Sequence, residues 1–180
     1  VEKYMNGSSE VSVEKFDKGW FFDGAGEEKA LIFYPGAKVA TEAYAPLMYQ
    51  LAESGIDCFL VDMPFHMAFF GMNRAEEIMQ EYNYEAWYLG GHSLGGAMAA
   101  NFAADYVEDH TDGIRGLLLL AAYPTKDLST SDMSVVTVYG SEDGVLNMDK
   151  IVAGRELMPQ DYKEVCIEGG NHAQFGSYGT

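Results

Sequence analysis

The sequence has few cysteines, few basic residues and no long apolar run. Its two cysteines, Cys58 and Cys166, lack metal-ligand spacing and are too few for a disulfide scaffold. Both stand in apolar segments that read as strands, so we expect two buried free thiols. No apolar run approaches the roughly 20 residues of a transmembrane helix, so this chain is expected to contain no direct membrane span.

The scarcity of basic residues gives the chain a strong negative charge. Eleven Lys and Arg stand against 28 Asp and Glu, for a formal net charge of -17. Such a surface repels phosphate backbones, so nucleic acid is excluded as an expected partner, and anionic membranes are disfavoured. A neutral or weakly polar small molecule is the expected substrate, and the oligomeric state stays open.

The compartment is also left open by the sequence. The chain starts at Val1 without an initiator Met, which is typical of a processed or trimmed product. We therefore expect either a cytoplasmic location, or an extracytoplasmic one if a signal or anchor segment was removed before Val1.

The order of predicted elements indicates a single α/β domain over residues 11–180, after a polar lead-in at 1–10. A hairpin around Asp17-Lys18-Gly19 comes first, and short apolar strands then alternate with amphipathic helices. This pattern predicts a mostly parallel sheet with an N-terminal antiparallel hairpin and helices on both faces. The later strands are predicted at 30–34, 58–61, 86–89, 116–122, 135–139 and 162–167, and the helices at 41–54, 73–82, 94–107 and 148–157.

The turn Gly91-His92-Ser93-Leu94-Gly95 lies between a predicted strand and a predicted helix. In this Gly-x-Ser-x-Gly spacing, the small residues permit a sharp turn from which the serine hydroxyl projects. The helix that follows begins with free N–H groups that favour negative charge. Ser93 is therefore the candidate nucleophile, and the Leu94 N–H is a candidate oxyanion donor.

A serine nucleophile needs a base, and the chain offers four histidines. His172 follows the last predicted strand in a Gly-rich loop, where it can reach the serine, so it is the favoured base. His110 ends a helix and is expected on the surface, and His92 is expected to pack beneath the turn. His66 follows a strand end, and we weigh a pocket role and a surface role equally.

The carboxylate that orients the base should follow a strand between Ser93 and His172. Asp143 comes after the predicted strand 135–139 and is the favoured acid, with Glu142 as the alternative. Asp127 and Asp132 also fall in this window. They sit in a polar loop without a strand directly before them and are expected to be solvated.

These residues resemble the α/β-hydrolase superfamily, and in particular its small lidless members near dienelactone-hydrolase-like proteins and carboxylesterases. The resemblance implies Ser93 as nucleophile, Asp143 as acid and His172 as base. It places the second oxyanion donor after the third strand, at the N–H of Ala37 or, failing that, Lys38. The motifs that carry it are Tyr34-Pro35-Gly36-Ala37-Lys38, Gly91-His92-Ser93-Leu94-Gly95-Gly96, Gly140-Ser141-Glu142-Asp143 and Gly170-Asn171-His172.

Three departures from the wider superfamily shape the expectation. Dienelactone hydrolases proper carry Cys where this chain has Ser93, so a general ester hydrolase is expected instead. Only Tyr123–Ser134 separates two predicted strands where many members insert a cap domain, so an open site is expected. The chain ends eight residues after His172, too few for the usual C-terminal helix, so we expect either that this helix is absent or that the parent protein is longer.

The resulting hypothesis is a serine hydrolase that cleaves a carboxylic ester without a metal or an organic cofactor. The segment Met63–Met72 is rich in Met and aromatic residues, and its Pro64, Phe65, His66 and Met67 are candidates to line the pocket. Packing of this loop onto the sheet is the alternative. Two functional alternatives also stay open: a non-catalytic binding module on the same fold, and a peptidase or thioesterase with the same triad.

Overall fold

The structure is a computed structural model that describes residues 2–36, 41–62, 74–110, 113–141 and 148–169. The strands are β1 Ser12–Phe16, β2 Gly19–Asp23, β3 Lys29–Tyr34, β4 Ile56–Val61, β5 Ala86–His92, β6 Ile114–Leu120, β7 Ser134–Gly140 and β8 Asp161–Ile167. The α-helices are α1 Glu2–Met5, α2 Ala45–Glu53, α3 Arg74–Glu81, α4 Leu94–Asp109 and α5 Met148–Gly154. Short 3-10 helices, Thr41–Tyr44 and Arg155–Leu157, precede α2 and follow α5.

The strands form one sheet in the order β1-β2-β4-β3-β5-β6-β7-β8. β1 and β2 pair antiparallel, β2 pairs antiparallel with β4, and every later pairing is parallel. The predicted antiparallel hairpin and mostly parallel sheet are therefore confirmed. β4 lies on one side of β3 and β5 lies on the other, so the strand order reverses after β4.

Strand β3 shows why this sheet is covered on both faces. Its side chains alternate between the two faces, and five of its six residues are buried. Ile32 lies in the core cluster that includes helix residues Ala99 and Ala103, whereas Phe33 lies in the opposite cluster with Met48. The predicted helices on both faces are confirmed, and the continuous apolar run of β3 is explained by double burial.

The last strand corrects one prediction. Cys58 in β4 is buried, as expected, but Cys166 in β8 is exposed, so the prediction of two buried thiols is wrong for Cys166. The physical reason is position: β8 is the last strand in the order of the described sheet, next to β7, and its residues are exposed or partly exposed. An apolar run can therefore mark an edge strand as well as a central one.

No cap domain separates β6 from β7. The connection at 121–133 is fully described and contains neither a helix nor a strand. Leu128 holds this connection against the fold, because its side chain is buried and its backbone N–H donates to the Leu157 carbonyl at 2.7 Å. The predicted absence of a cap at this point is confirmed.

The N-terminal segment contains a helical turn. α1 falls within the predicted polar lead-in, and the Tyr4 ring meets Tyr49 of α2 edge-on at 5.3 Å. The extent of the domain, residues 11–180, stays a prediction. Across the described ranges, none of the helices combines the length and apolar character that a membrane crossing needs.

Candidate active site

The candidate site lies at the carboxyl ends of the central parallel strands. Ser93 follows β5 directly and immediately precedes α4, while Pro35 and Gly36 follow the neighbouring strand β3. In parallel sheets of this kind, ligands bind in the crevice outside these strand ends. The predicted strand–turn–helix around Ser93 is observed.

Ser93 has an unusual backbone conformation, with φ 58° and ψ -126°. Such a conformation costs a residue with a side chain about 1–3 kcal/mol and is commonly found at functional sites. The surrounding backbone holds it: the Ser93 N–H donates to the Leu120 carbonyl at 2.9 Å, and the Ser93 carbonyl accepts from the Ala97 N–H at 3.1 Å. Ala121, directly after the adjacent strand β6, also has a positive φ of 50°.

Three glycines around Ser93 leave no room for a side chain. A β-carbon on Gly91 would lie 2.5 Å from the Gly95 carbonyl carbon. A β-carbon on Gly96 would lie 2.6 Å from the Ala122 β-carbon, and one on Gly95 would lie 2.1 Å from the Pro35 carbonyl oxygen. All three distances are far below van der Waals contact, so the sharp turn depends on glycine at these positions.

A buried hydrogen-bond chain connects the turn to the loop after β3. The Tyr44 hydroxyl accepts from the Gly36 N–H at 3.0 Å and lies 2.6 Å from His92 Nδ1. Tyr44 is fully buried and His92 is 1% exposed. Both hydrogen bonds are satisfied if the Tyr44 hydroxyl donates its proton to Nδ1 of a neutral His92 imidazole, whose own proton is then on Nε2.

His92 is buried beneath the turn, as the sequence predicts, but the role of Tyr44 is not predictable from the sequence. In the pattern, Tyr44 is one apolar position of an amphipathic helix. No local signal shows that its hydroxyl reaches both Gly36, in the loop after β3, and His92, at the end of β5. Only the packing of the 3-10 helix Thr41–Tyr44 on the sheet, where the Tyr44 ring meets Phe33 of β3, brings these groups together.

The structure locates some predicted site residues and leaves others undescribed. Ser93 is partly exposed, and Leu94 is the first residue of α4, with a side chain that is 42% exposed. The Leu94 N–H belongs to the first helical turn, whose amides have no intrahelical acceptor. The remaining predicted residues lie outside the described residues: Asp143, its alternative Glu142, His172, Ala37, Lys38, Pro64, Phe65, His66 and Met67.

His110, Asp127 and Asp132, which the sequence does not favour as members of the triad, are on the surface. His110 is exposed and stacks on the Tyr106 ring with centroids 4.0 Å apart. Asp127 and Asp132 are exposed in the connection after β6, where Asp127 accepts a hydrogen bond from the Ser129 N–H at 2.8 Å. The expectation of a surface or solvated role for these three residues is confirmed. Within the described part of the chain, no group of three or more His, Cys, Asp or Glu residues could hold a metal ion.

The strand order and the strained serine turn are those of an α/β-hydrolase, and comparison with known proteins agrees. The model of the alpha/beta hydrolase family matches residues 30–180, so the chain belongs to this family. A search of curated proteins finds no match to the chain.

Solved structures with the same fold include several named hydrolases. A monoglyceride lipase from Saccharomyces cerevisiae, solved as a soluble variant with a substrate analogue, superposes with a TM-score of 0.67 at 13% identity, covering 96% of this chain and 90% of the lipase. A thermostable esterase from Pseudomonas putida gives 0.65 at 17% identity, with 93% and 76% covered. A dienelactone hydrolase from Anabaena variabilis gives 0.65 at 12% identity, with 91% and 88% covered. At these identities the likeness establishes the fold.

Proposed function

We propose that this protein is a serine hydrolase that cleaves a carboxylic ester through an acyl-enzyme on Ser93. His172 is the general base, and Asp143 orients it. Leu94 and either Ala37 or Lys38 supply the N–H groups that stabilise the oxyanion. The substrate is a small neutral ester, because the net charge of -17 disfavours strongly anionic molecules.

The observation that carries the proposal is the strained backbone of Ser93 at the end of β5. A residue with φ 58° directly before a helix is costly to maintain. Three glycines around it leave the space that the turn needs, because a side chain at any of them would clash. A turn that served only to connect β5 and α4 would not need this strain. The strain is explained if the turn must project a serine hydroxyl over the first amides of α4.

Membership of the alpha/beta hydrolase family supports the same proposal. A lipase, an esterase and a dienelactone hydrolase share the fold of this chain. The short connection between β6 and β7 adds no cap over the strand ends, which favours a site that water can enter. Water is the second substrate of the proposed reaction.

The proposed reaction has two steps. The Ser93 oxygen attacks the ester carbonyl carbon while His172 takes the hydroxyl proton, and the resulting oxyanion is held by the two N–H donors. The tetrahedral intermediate breaks its bond to the alcohol oxygen, which receives the proton from His172. Water, deprotonated by His172, then attacks the acyl-enzyme carbonyl; the bond to the Ser93 oxygen breaks, that oxygen receives the proton back from His172, and the carboxylic acid is released. Asp143 stabilises the imidazolium and fixes its orientation in both steps.

A fluorophosphonate probe tests the nucleophile. We expect stoichiometric labelling of the wild-type protein and no labelling of Ser93→Ala. Ser12→Ala, which changes an exposed serine in β1, is the matched control and should label like the wild type. Equal labelling of wild type and Ser93→Ala would remove Ser93 from the mechanism. A folded wild-type protein that neither labels nor hydrolyses esters would instead support a binding module.

Turnover of chromogenic esters tests the other two members of the triad. His172→Ala is expected to lower kcat by several orders of magnitude, as is usual for removal of a triad base. Asp143→Asn should lower kcat strongly while its neighbour variant Glu142→Gln stays near wild type, and the reverse result would assign Glu142 as the acid. Parallel assays on ester, thioester and amide substrates separate an esterase from a thioesterase or a peptidase.

A further inference from the structure

We propose that Tyr44 is a positioning residue for the oxyanion site. Its hydroxyl ties the loop after β3 to the nucleophile turn through Gly36 and His92. The inference rests on the proposed function, since it concerns how the oxyanion donors of that reaction are held. It assigns no contact between Tyr44 and the substrate.

The Tyr44 hydroxyl lies between Gly36 and His92. Its oxygen is bonded to the Gly36 N–H at 3.0 Å on one side and lies 2.6 Å from His92 Nδ1 on the other. Gly36 belongs to the loop after β3, and His92 is the residue before the proposed nucleophile. One phenolic oxygen therefore links the Gly36 backbone, directly before the proposed donor Ala37, to the His92 side chain, directly before the proposed nucleophile Ser93.

Packing alone does not require the Tyr44 hydroxyl. The Tyr44 ring meets the Phe33 ring at 5.2 Å and the His92 ring at 5.6 Å, and the side chain is fully buried. A phenylalanine would fill nearly the same space and would not place a polar oxygen in a buried position. A buried hydroxyl is costly unless it is bonded, so its bonds to Gly36 and His92 account for its presence.

Gly36 lies close to both the Tyr44 hydroxyl and the His92 ring. Gly36 is buried, and a β-carbon there would lie 3.1 Å from the Tyr44 oxygen and 3.2 Å from His92 Nδ1. The loop after β3 therefore rests directly on the Tyr44–His92 pair with little spare room. The next residue, Ala37, is the proposed second oxyanion donor, so a shift of Gly36 moves that amide.

The consequence is specific to the transition state. Without the Tyr44 oxygen, the buried Gly36 N–H loses its acceptor and the loop relaxes toward another partner. Oxyanion donors act only when they lie at hydrogen-bond distance from the developing negative charge. A misplaced loop should therefore weaken binding of the tetrahedral intermediate more than binding of the ester itself.

The test compares Tyr44→Phe with Tyr49→Phe. Tyr49 lies in α2, directly after the 3-10 helix that contains Tyr44, and its hydroxyl donates to Ser8. Active-site titration with the fluorophosphonate corrects each kcat for the folded, reactive fraction. For Tyr44→Phe we expect kcat to fall about tenfold, less than the effect of deleting a donor outright, with KM within about twofold. Inhibition by a trifluoromethyl ketone, which forms a tetrahedral adduct on serine, should weaken by a similar factor.

The outcomes separate the two proposals. A wild type that does not label on Ser93 defeats the proposed function. A wild type that labels, with Tyr44→Phe keeping wild-type kcat per titrated site, defeats only the positioning role. Equal weakening of KM and of trifluoromethyl ketone binding would also overturn it, because a general loss of structure affects both.

A second pair of variants keeps the inference falsifiable if Tyr44→Phe fails to fold. His92→Asn can present an acceptor near the place of Nδ1, whereas His92→Leu cannot. We expect His92→Asn to keep a larger kcat per titrated site than His92→Leu. In the Tyr44→Phe background the advantage of His92→Asn over His92→Leu should disappear, because no hydroxyl is left at residue 44 for the amide to accept from. Equal kcat of the two variants in the wild-type background would contradict the proposed network.

Discussion

Gly95 at the start of α4 lies directly against Pro35 after β3, because a β-carbon on Gly95 would come within 2.1 Å of the Pro35 carbonyl oxygen. The Tyr34 carbonyl oxygen, at 2.4 Å from the same position, closes the other side. Both neighbours are main-chain atoms, which cannot rotate away as a side chain can. The serine turn and the loop after β3 are therefore packed as one unit.

Gly95→Ala is expected to destabilise the protein by about 2–4 kcal/mol, because it overpacks a contact between backbones. Any folded fraction should have reduced kcat, since the serine turn and the proposed oxyanion loop are pushed apart. Urea denaturation and titrated ester turnover measure the two effects.

Gly154→Ala is the control for this substitution. Gly154 has φ -65° and ψ -20°, and the nearest atom to an added β-carbon is 3.5 Å away. Its stability should stay within about 1 kcal/mol of wild type or rise slightly. Equal stability of Gly95→Ala and wild type would show that the close approach is not present in solution.

Ser93→Gly should be more stable than Ser93→Ala, although both should be inactive. Alanine keeps the strained conformation at φ 58°, whereas glycine adopts it at little cost. After the greater flexibility of glycine in the unfolded chain is allowed for, we expect a difference of about 1 kcal/mol. Urea denaturation of the two variants measures it, and a more stable Ser93→Ala would contradict the strain.

Tyr84→Phe is expected to destabilise the start of β4 by about 1–3 kcal/mol at neutral pH. The Tyr84 hydroxyl donates to Asp57 Oδ2 at 2.7 Å, and the Gly24 N–H donates to Oδ1 at 2.8 Å. Asp57 is 2% exposed, so the variant leaves a buried carboxylate oxygen without one of its donors. Tyr106→Phe, on a ring that stacks with His110, is the control and should have little effect.

The cost of Tyr84→Phe should also depend on pH. Burial raises the pKa of Asp57, and the Tyr84 hydrogen bond opposes this rise. The variant therefore has a still higher Asp57 pKa in the folded state. A carboxyl group whose folded pKa is raised contributes stability at low pH and loses it as pH rises through that pKa. The difference in free energy of unfolding between Tyr84→Phe and wild type should be largest at pH 7 and smaller near pH 4. A difference that does not change with pH would contradict this account.

Glu164→Gln should lower the urea midpoint at pH 7. Arg155 donates to both Glu164 carboxylate oxygens, at 2.6 and 2.9 Å, and this pair lowers the Glu164 pKa. Such a group stabilises the protein above its unfolded pKa, and the contribution is lost as pH falls through the folded pKa. The variant and wild type should therefore converge at acid pH. Glu156→Gln, an exposed neighbour of Arg155, should match wild type throughout.

Much of this fold could be predicted because its signals are local. The apolar runs of the central strands, the periodicity of α2 and the Gly-x-Ser-x-Gly spacing around Ser93 can each be recognised within a short stretch of sequence. They predicted the hairpin, the parallel strands and the strand–turn–helix at Ser93. The predictions for Asp143 and His172 used the order of the chain and the family resemblance, and they stay predictions.

Other features depended on which segments meet in three dimensions. Cys166 is exposed because β8 is an edge strand, and the apolar run around it does not carry that information. Tyr44 has the pattern of a core residue, yet its hydroxyl reaches both Gly36 and His92. The sequence by itself determined the strand–turn–helix at Ser93, because glycine and serine at fixed spacing constrain the local backbone. Only the tertiary structure decided what supports that turn, because those contacts join segments far apart in the chain and depend on the order of strands in the sheet.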